Sequence, residues 1–147
     1  MKYIQFLALV LTTLALVPAG AHLLELANKM ELAETDYFIV QTIYRGWALL
    51  GTVTIAALLA NLTLAIATRG QGPAFAFAVL AFVCMAASLA VFFAFTYPAN
   101  VATENWTAIP AGWEALRWKW EMSHAAGALI TFVAFCATAL SVLSARR

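Results

Sequence analysis

Two pairs of residues carry the chemistry that this chain could perform. His22 and Glu25 stand three residues apart, and so do Glu121 and His124. At that spacing the two side chains of a pair share one face of a helix. The order of the pairs is mirrored, so on two antiparallel helices both imidazoles lie at one level. Both carboxylates then lie about one turn, roughly 5 Å, nearer the helix ends. Imidazole is the side chain whose unperturbed pKa allows it to give and take protons near neutrality. Two imidazoles and two carboxylates converging on one point also resemble the Glu-x-x-His ligand logic of di-metal bundles, with iron, copper or zinc as candidate ions. The competing outcome for the same four residues is a hydrogen-bonded polar cluster without a tightly held metal.

Other residues could complete such a site. Arg45, with Gln41 one turn before it, is expected inside the second helix, where a guanidinium is costly unless an acid faces it. Pointing inward to Glu25 or Glu121, it would offer a fixed positive charge to an anionic ligand. Trp106, Trp113, Trp118 and Trp120 crowd into one short segment. Interfacial tryptophans anchor proteins at the headgroup level, yet Trp120 adjoins Glu121 and could wall a pocket for a flat aromatic ligand. Cys84 and Cys136 fall mid-helix with no C-x-x-C pair, which reads as inert buried thiols. Asn61 is expected to be interhelical glue.

The elements that must position these residues follow from charge. Of 147 residues 65% are hydrophobic and only 10% charged, with a mean hydropathy of +0.89. No charged residue occurs at 3–24, 46–68, 70–103 or 122–145. A membrane crossing needs about 20 apolar residues, so these runs predict helices over about 3–29, 36–68, 74–97 and 113–144. The expectation is an all-α, integral membrane four-helix bundle, up-down-up-down, forming one domain over 1–147. A net charge of +1 argues against a nucleic-acid partner. The expected partners are the bilayer and a hydrophobic small molecule, with self-association compatible.

Lys2, an apolar run and Ala19, Gly20, Ala21 imitate a cleaved signal peptide. The run continues through Leu26, so it is read as a retained first helix with Pro18 inside. Lys2, Arg69, Arg146 and Arg147 mark one side of the membrane, while all seven acids lie in 25–36 or 104–121. The positive-inside rule then places both termini in the cytoplasm, the membrane being read as a bacterial inner membrane.

Pro98, Ala99 and Asn100 after the third apolar run, Trp120 followed four residues on by His124, and the early His22 together resemble the anthrone-oxygenase-like family of small four-span membrane proteins. The family's pattern often places arginine three residues after the fourth-span histidine, where this chain has Gly127. The resemblance implies oxygenation of a hydrophobic aromatic or quinone-like compound entering from the bilayer. Under that reading His124 is the base that forms a carbanion able to react with dioxygen. His22 is its partner or a second metal ligand, Glu25 and Glu121 orient the imidazoles, and Arg45 stabilises the oxyanion. Trp120, Trp106 and Asn100 would contact the substrate. The alternative is a non-enzymatic protein that binds or carries a lipophile, or an assembly factor.

Overall fold

The computed structural model describes residues 1–145, so Arg146 and Arg147, which entered the charge argument, lie outside the described residues. Those residues fold into helices, with no strand among them. Four segments are long and apolar enough to cross a membrane: Lys2–Glu31, Trp47–Ala67, Pro73–Ala102 and Trp113–Ser144.

Helix α1 runs over Lys2–Glu31, straight through Pro18, a break in hydrogen bonding that membrane helices tolerate. It stops at Leu32, whose extended backbone returns its N–H to the Lys29 carbonyl. Helix α2 (Glu34–Gln41) follows, with Glu34 and Asp36 in its first turn, where acids complement the helix dipole.

The single second helix expected over 36–68 is broken in the structure. After α2 the chain makes a 3-10 turn at Thr42–Tyr44, passes through Gly46 at φ 87°, makes a second at Trp47–Leu49 and only then enters α3, Leu50–Ala67. The left-handed region is one that glycine adopts without strain, and the Thr42 hydroxyl donates to the Ile39 carbonyl at 2.7 Å, which supports the turn.

Helix α4 (Pro73–Val91) begins with Pro73 in its first turn, a position that suits proline's fixed φ. It does not end at Tyr97. A π-helical turn at Phe92–Thr96 leads into α5, Tyr97–Ala102. Pro98 sits in the first turn of α5, directly after the π turn, so its missing N–H falls where the regular helical ladder is already interrupted. The connection that follows has three successive left-handed residues that are not glycine, Glu104, Asn105 and Trp106. They are held by Asn105 N–H to the Asn100 carbonyl at 2.7 Å and by Trp106 N–H to the Thr103 hydroxyl at 3.1 Å. Helix α6 (Trp113–Ser144) completes the chain.

Helix α6 packs on α1 and α4, and α3 packs on the same two helices from the other side. The contact surfaces are mostly small. Ala8, Ala60, Leu64, Ala65 and Ala78 meet at one end, and Ala15, Ala57, Met85 and Ala134 at mid-length. Between apolar helices in lipid the attraction comes from close approach and hydrogen bonds, and alanine permits both. Asn61 carries the expected glue: its amide donates to the Thr12 hydroxyl and accepts from Thr138, each at 2.8 Å, joining α3 to α1 and α6. Both threonines also bond to their own helix backbones. Asn61→Leu should therefore cost only about 1 kcal/mol, read as a lowered unfolding midpoint in detergent. No change at all would mean that the triad holds nothing together.

Candidate functional site

The far end of the bundle is built differently. There the alanine surfaces give way to Tyr37, Trp106, Trp113 and Trp120 packed around Ala99. At 30 and 32 residues, α1 and α6 span about 45 Å or more, against a hydrocarbon core of about 30 Å. Each is therefore longer than such a core, and α2 and the 103–112 connection pack over their ends at this side.

Here α1 and α6 bring the two imidazoles together. His22 and His124 stack with ring centroids 4.0 Å apart and planes inclined by 25°. Trp120 stands edge-on to both, at 5.1 Å from His22 and 4.2 Å from His124. Tyr44 and Trp47, carried in by the break at Gly46, close on His22 at 4.6 and 5.6 Å. His22 is buried, whereas His124, Tyr44 and Trp47 keep part of their surface open.

Lys29, two turns beyond His22 on α1, supplies the interior charge. Its side chain is 4% exposed and its ammonium lies 3.0 Å from Glu121 Oε1 and 3.6 Å from Glu25 Oε2. It also donates to the Tyr44 hydroxyl at 3.0 Å and sits 4.8 Å from the ring centroids of Tyr44 and Trp120, within cation–π range. Tyr44 donates its own proton to Glu25, and Tyr37 donates to Glu121 Oε1 at 3.0 Å. Burial, joined by the neighbouring carboxylates, pushes the Tyr37 and Tyr44 phenols above the ordinary tyrosine range. Gln41 is buried beside Tyr37.

Arg45 does not do what its position suggested. It is exposed, on the turn after Tyr44, and forms no ion pair among the described residues. The reason is the break in the second helix: Gly46 moves Arg45 off any helix face. Arg45→Ala should then leave stability within about 0.5 kcal/mol of the parent. A loss of 2 kcal/mol or more in a chemical unfolding titration would restore Arg45 to the interior. Arg117 is used structurally, donating to the Leu32 carbonyl at 2.8 Å and lying over Trp113 at 4.7 Å.

The four expected metal ligands are not arranged as a metal site. Among the described residues no three His, Cys, Asp or Glu side chains are grouped to hold an ion. The lone pairs of imidazole nitrogens lie in the ring planes, so in a face-to-face stack those of His22 and His124 run side by side and do not converge. Glu25 and Glu121 turn instead to Lys29 and the tyrosines. His22 Nδ1 and Glu121 Oε2 are buried with no hydrogen-bond partner in the protein, which gives the cluster two polar positions still able to bond.

Of the expected substrate contacts, Trp120 walls the imidazole pair. Asn100 Oδ1 accepts from the Trp120 indole at 2.8 Å and the Trp106 indole at 3.2 Å, so it orients two rings. Trp106 backs Trp120 at 5.6 Å. Its other side belongs to a groove of about 360 Å³ lined by Phe38, Ile39, Ile109 and three threonines. Trp118 is exposed, as an interfacial anchor would be.

No protein-family model, curated protein or solved structure matches the chain. The likeness to anthrone oxygenases therefore rests on the residues quoted for it. At Gly127, where that family often has arginine, an added Cβ would meet Ser88 Oγ at 3.6 Å, an ordinary contact. Sequence reading passed over Lys29, Tyr37, Tyr44 and Trp47. Only Lys29 left a usable signal, seven residues from His22 and four from Glu25 on one helix face.

Proposed function

We propose that the chain is an up-down-up-down bundle in a bacterial inner membrane, with both termini cytoplasmic, that oxidises or oxygenates a hydrophobic aromatic or quinone-like compound arriving from the bilayer. The stacked His22 and His124 pair, walled by Trp120, Tyr44 and Trp47, carries this reading. An ionisable cluster placed within apolar helices is costly to maintain and is functional by default.

His124, the more open imidazole, is the base that removes a proton from an activated carbon acid such as an anthrone. The carbanion then reacts with dioxygen. Lys29, paired with Glu25 and Glu121, supplies the interior positive charge once expected of Arg45. His22 and Trp120 hold the His124 ring by stacking and edge contact. No metal has a part in this account, since the residues offer no convergent ligand set.

Oxygen uptake with an anthrone, measured on the protein in nanodiscs against empty nanodiscs, tests the proposal. Protein-dependent uptake that is lost in His124→Ala is the expected result. Binding of the anthrone, seen as tryptophan quenching, without any uptake would overturn the enzymatic reading. It would favour the second one, a lipophile carrier, which the open groove beside Trp106 supports.

A further inference from the structure

Between α2 and α6 lie buried polar groups that base catalysis at His124 does not use. Tyr37 and Gln41 stand one turn apart on the inner face of α2, and Glu121 reaches Tyr37 from α6. Gln41 is 5% exposed, Glu121 1% and Tyr37 0%. The Tyr37 hydroxyl donates to Glu121 Oε1 at 3.0 Å. The Gln41 amide sits beside that hydroxyl but outside hydrogen-bond geometry, so its nitrogen and its oxygen have no partner in the protein, and neither has Glu121 Oε2. An unmet buried donor or acceptor carries its full desolvation cost. Three such atoms around one hydroxyl call for a shared partner.

We propose that Gln41 and Glu121 form a receptor for a neutral O–H group, which donates to Glu121 Oε2 and accepts from the Gln41 amide N–H. The choice of group follows from charge and from the donor count. An ionised Glu121 only accepts, while the amide offers both donors and an acceptor, so the partner needs a proton to give and a lone pair to share. An anion would meet the carboxylate. A cation would meet the Lys29 ammonium, which lies 3.0 Å from the other oxygen of the same carboxylate. A hydroxyl has neither fault.

Two sources can supply it. One is a water molecule held inside the protein, where about three hydrogen bonds per buried water are usual. The other is a phenol whose ring lies in the groove that Phe38, Thr42 and Trp106 help to line, beside the same turn of α2. Such a receptor does not depend on oxygen chemistry: a protein that oxidises nothing can still hold this group.

Gln5, Gln41 and Gln71 are the only glutamines, so cell-free synthesis with side-chain 15N-glutamine gives three amide signals. Gln41→Met identifies the one at the site, keeping the length of the side chain and removing its polar atoms. In ligand-free protein in liposomes, proton-detected magic-angle-spinning NMR should show magnetisation passing from water to the Gln41 amide. 1-Naphthol and its methyl ether, 1-methoxynaphthalene, then separate the sources, with binding measured by partition against empty liposomes. If a ligand hydroxyl takes the site, 1-naphthol removes the water transfer and binds at least tenfold tighter than the ether, an advantage lost in Gln41→Met. If water alone fills it, the transfer persists under saturating 1-naphthol and the two compounds bind alike.

Either source should make Gln41→Met less stable, raising the unfolding equilibrium constant at least threefold in an SDS titration in bicelles. An amide with no partner predicts the reverse, because methionine relieves its desolvation cost. A Gln41→Met variant as stable as the parent or more so would overturn the proposal. So would the absence of water transfer to Gln41 together with no preference for the hydroxyl. Should Gln41→Met not fold, Gln5→Asn and Gln71→Asn assign the Gln41 signal by elimination, and the NMR and binding results on the parent decide. None of these readouts involves oxygen uptake, so their failure and that of the proposed oxidation are told apart.

Discussion

Lys29→Met is expected to destabilise the protein by about 3–5 kcal/mol, the usual cost of removing one member of a buried ion pair. The side chain of Glu121 is 0% exposed, so without Lys29 its charge faces only the Tyr37 hydroxyl. The loss should come from stranding that charge more than from the missing attraction. Lys29→Met combined with Glu121→Gln should therefore recover most of the stability, since no buried ion is left unpaired. An SDS unfolding titration in bicelles reads both variants. A single-variant loss under 1 kcal/mol, or a double variant worse than either single one, would show that the pair does not hold α1 to α6.

His124→Ala is expected to lower anthrone-dependent oxygen uptake by roughly 100- to 10,000-fold, the range that positioned general bases contribute. His22→Ala should cost less, because His22 touches the ligand's base and not the proton being removed. If the stacked rings act as a unit, the double variant should be little worse than His124→Ala alone. Multiplying losses would instead mean that the two imidazoles act separately. Uptake in the wild type should also be unaffected by chelators, given that the imidazole lone pairs do not converge.

The spans were legible because charge is excluded from long runs, and the bilayer permits little else there. The break between Gln41 and Leu50 was not. Gly46 is one small residue in an apolar stretch, and only its positive φ shows that the helix fails there. Missing that turn also misplaced the interior cation. On a continuous helix Arg45 would face inward, whereas the turn exposes it and swings Tyr44 and Trp47 onto His22. The i,i+3 spacing placed each His and Glu on a common face, and the mirrored order set the two imidazoles level. Spacing says nothing of ring orientation, however, and it is the stack, together with the pull of Lys29 on both carboxylates, that separates a metal centre from what is found. The π-helical turn before Pro98 left no mark either, since phenylalanines suit a helix or a π turn equally.

The Lys29 to Glu121 contact joins the first long helix to the last, and it has a consequence for how the protein is made. Roughly ninety residues separate the two, and at a synthesis rate of about 5–20 residues per second α1 must wait on the order of 5–20 s before its partner leaves the ribosome. Through that interval Glu25, one turn back on the same helix, is the part of the Lys29 cluster already made and within reach of its charge. Glu25 is thus the temporary counterion of a nascent chain as well as a member of the finished cluster, and its replacement should trap α1 in an early, incompletely inserted form whenever translation is slowed.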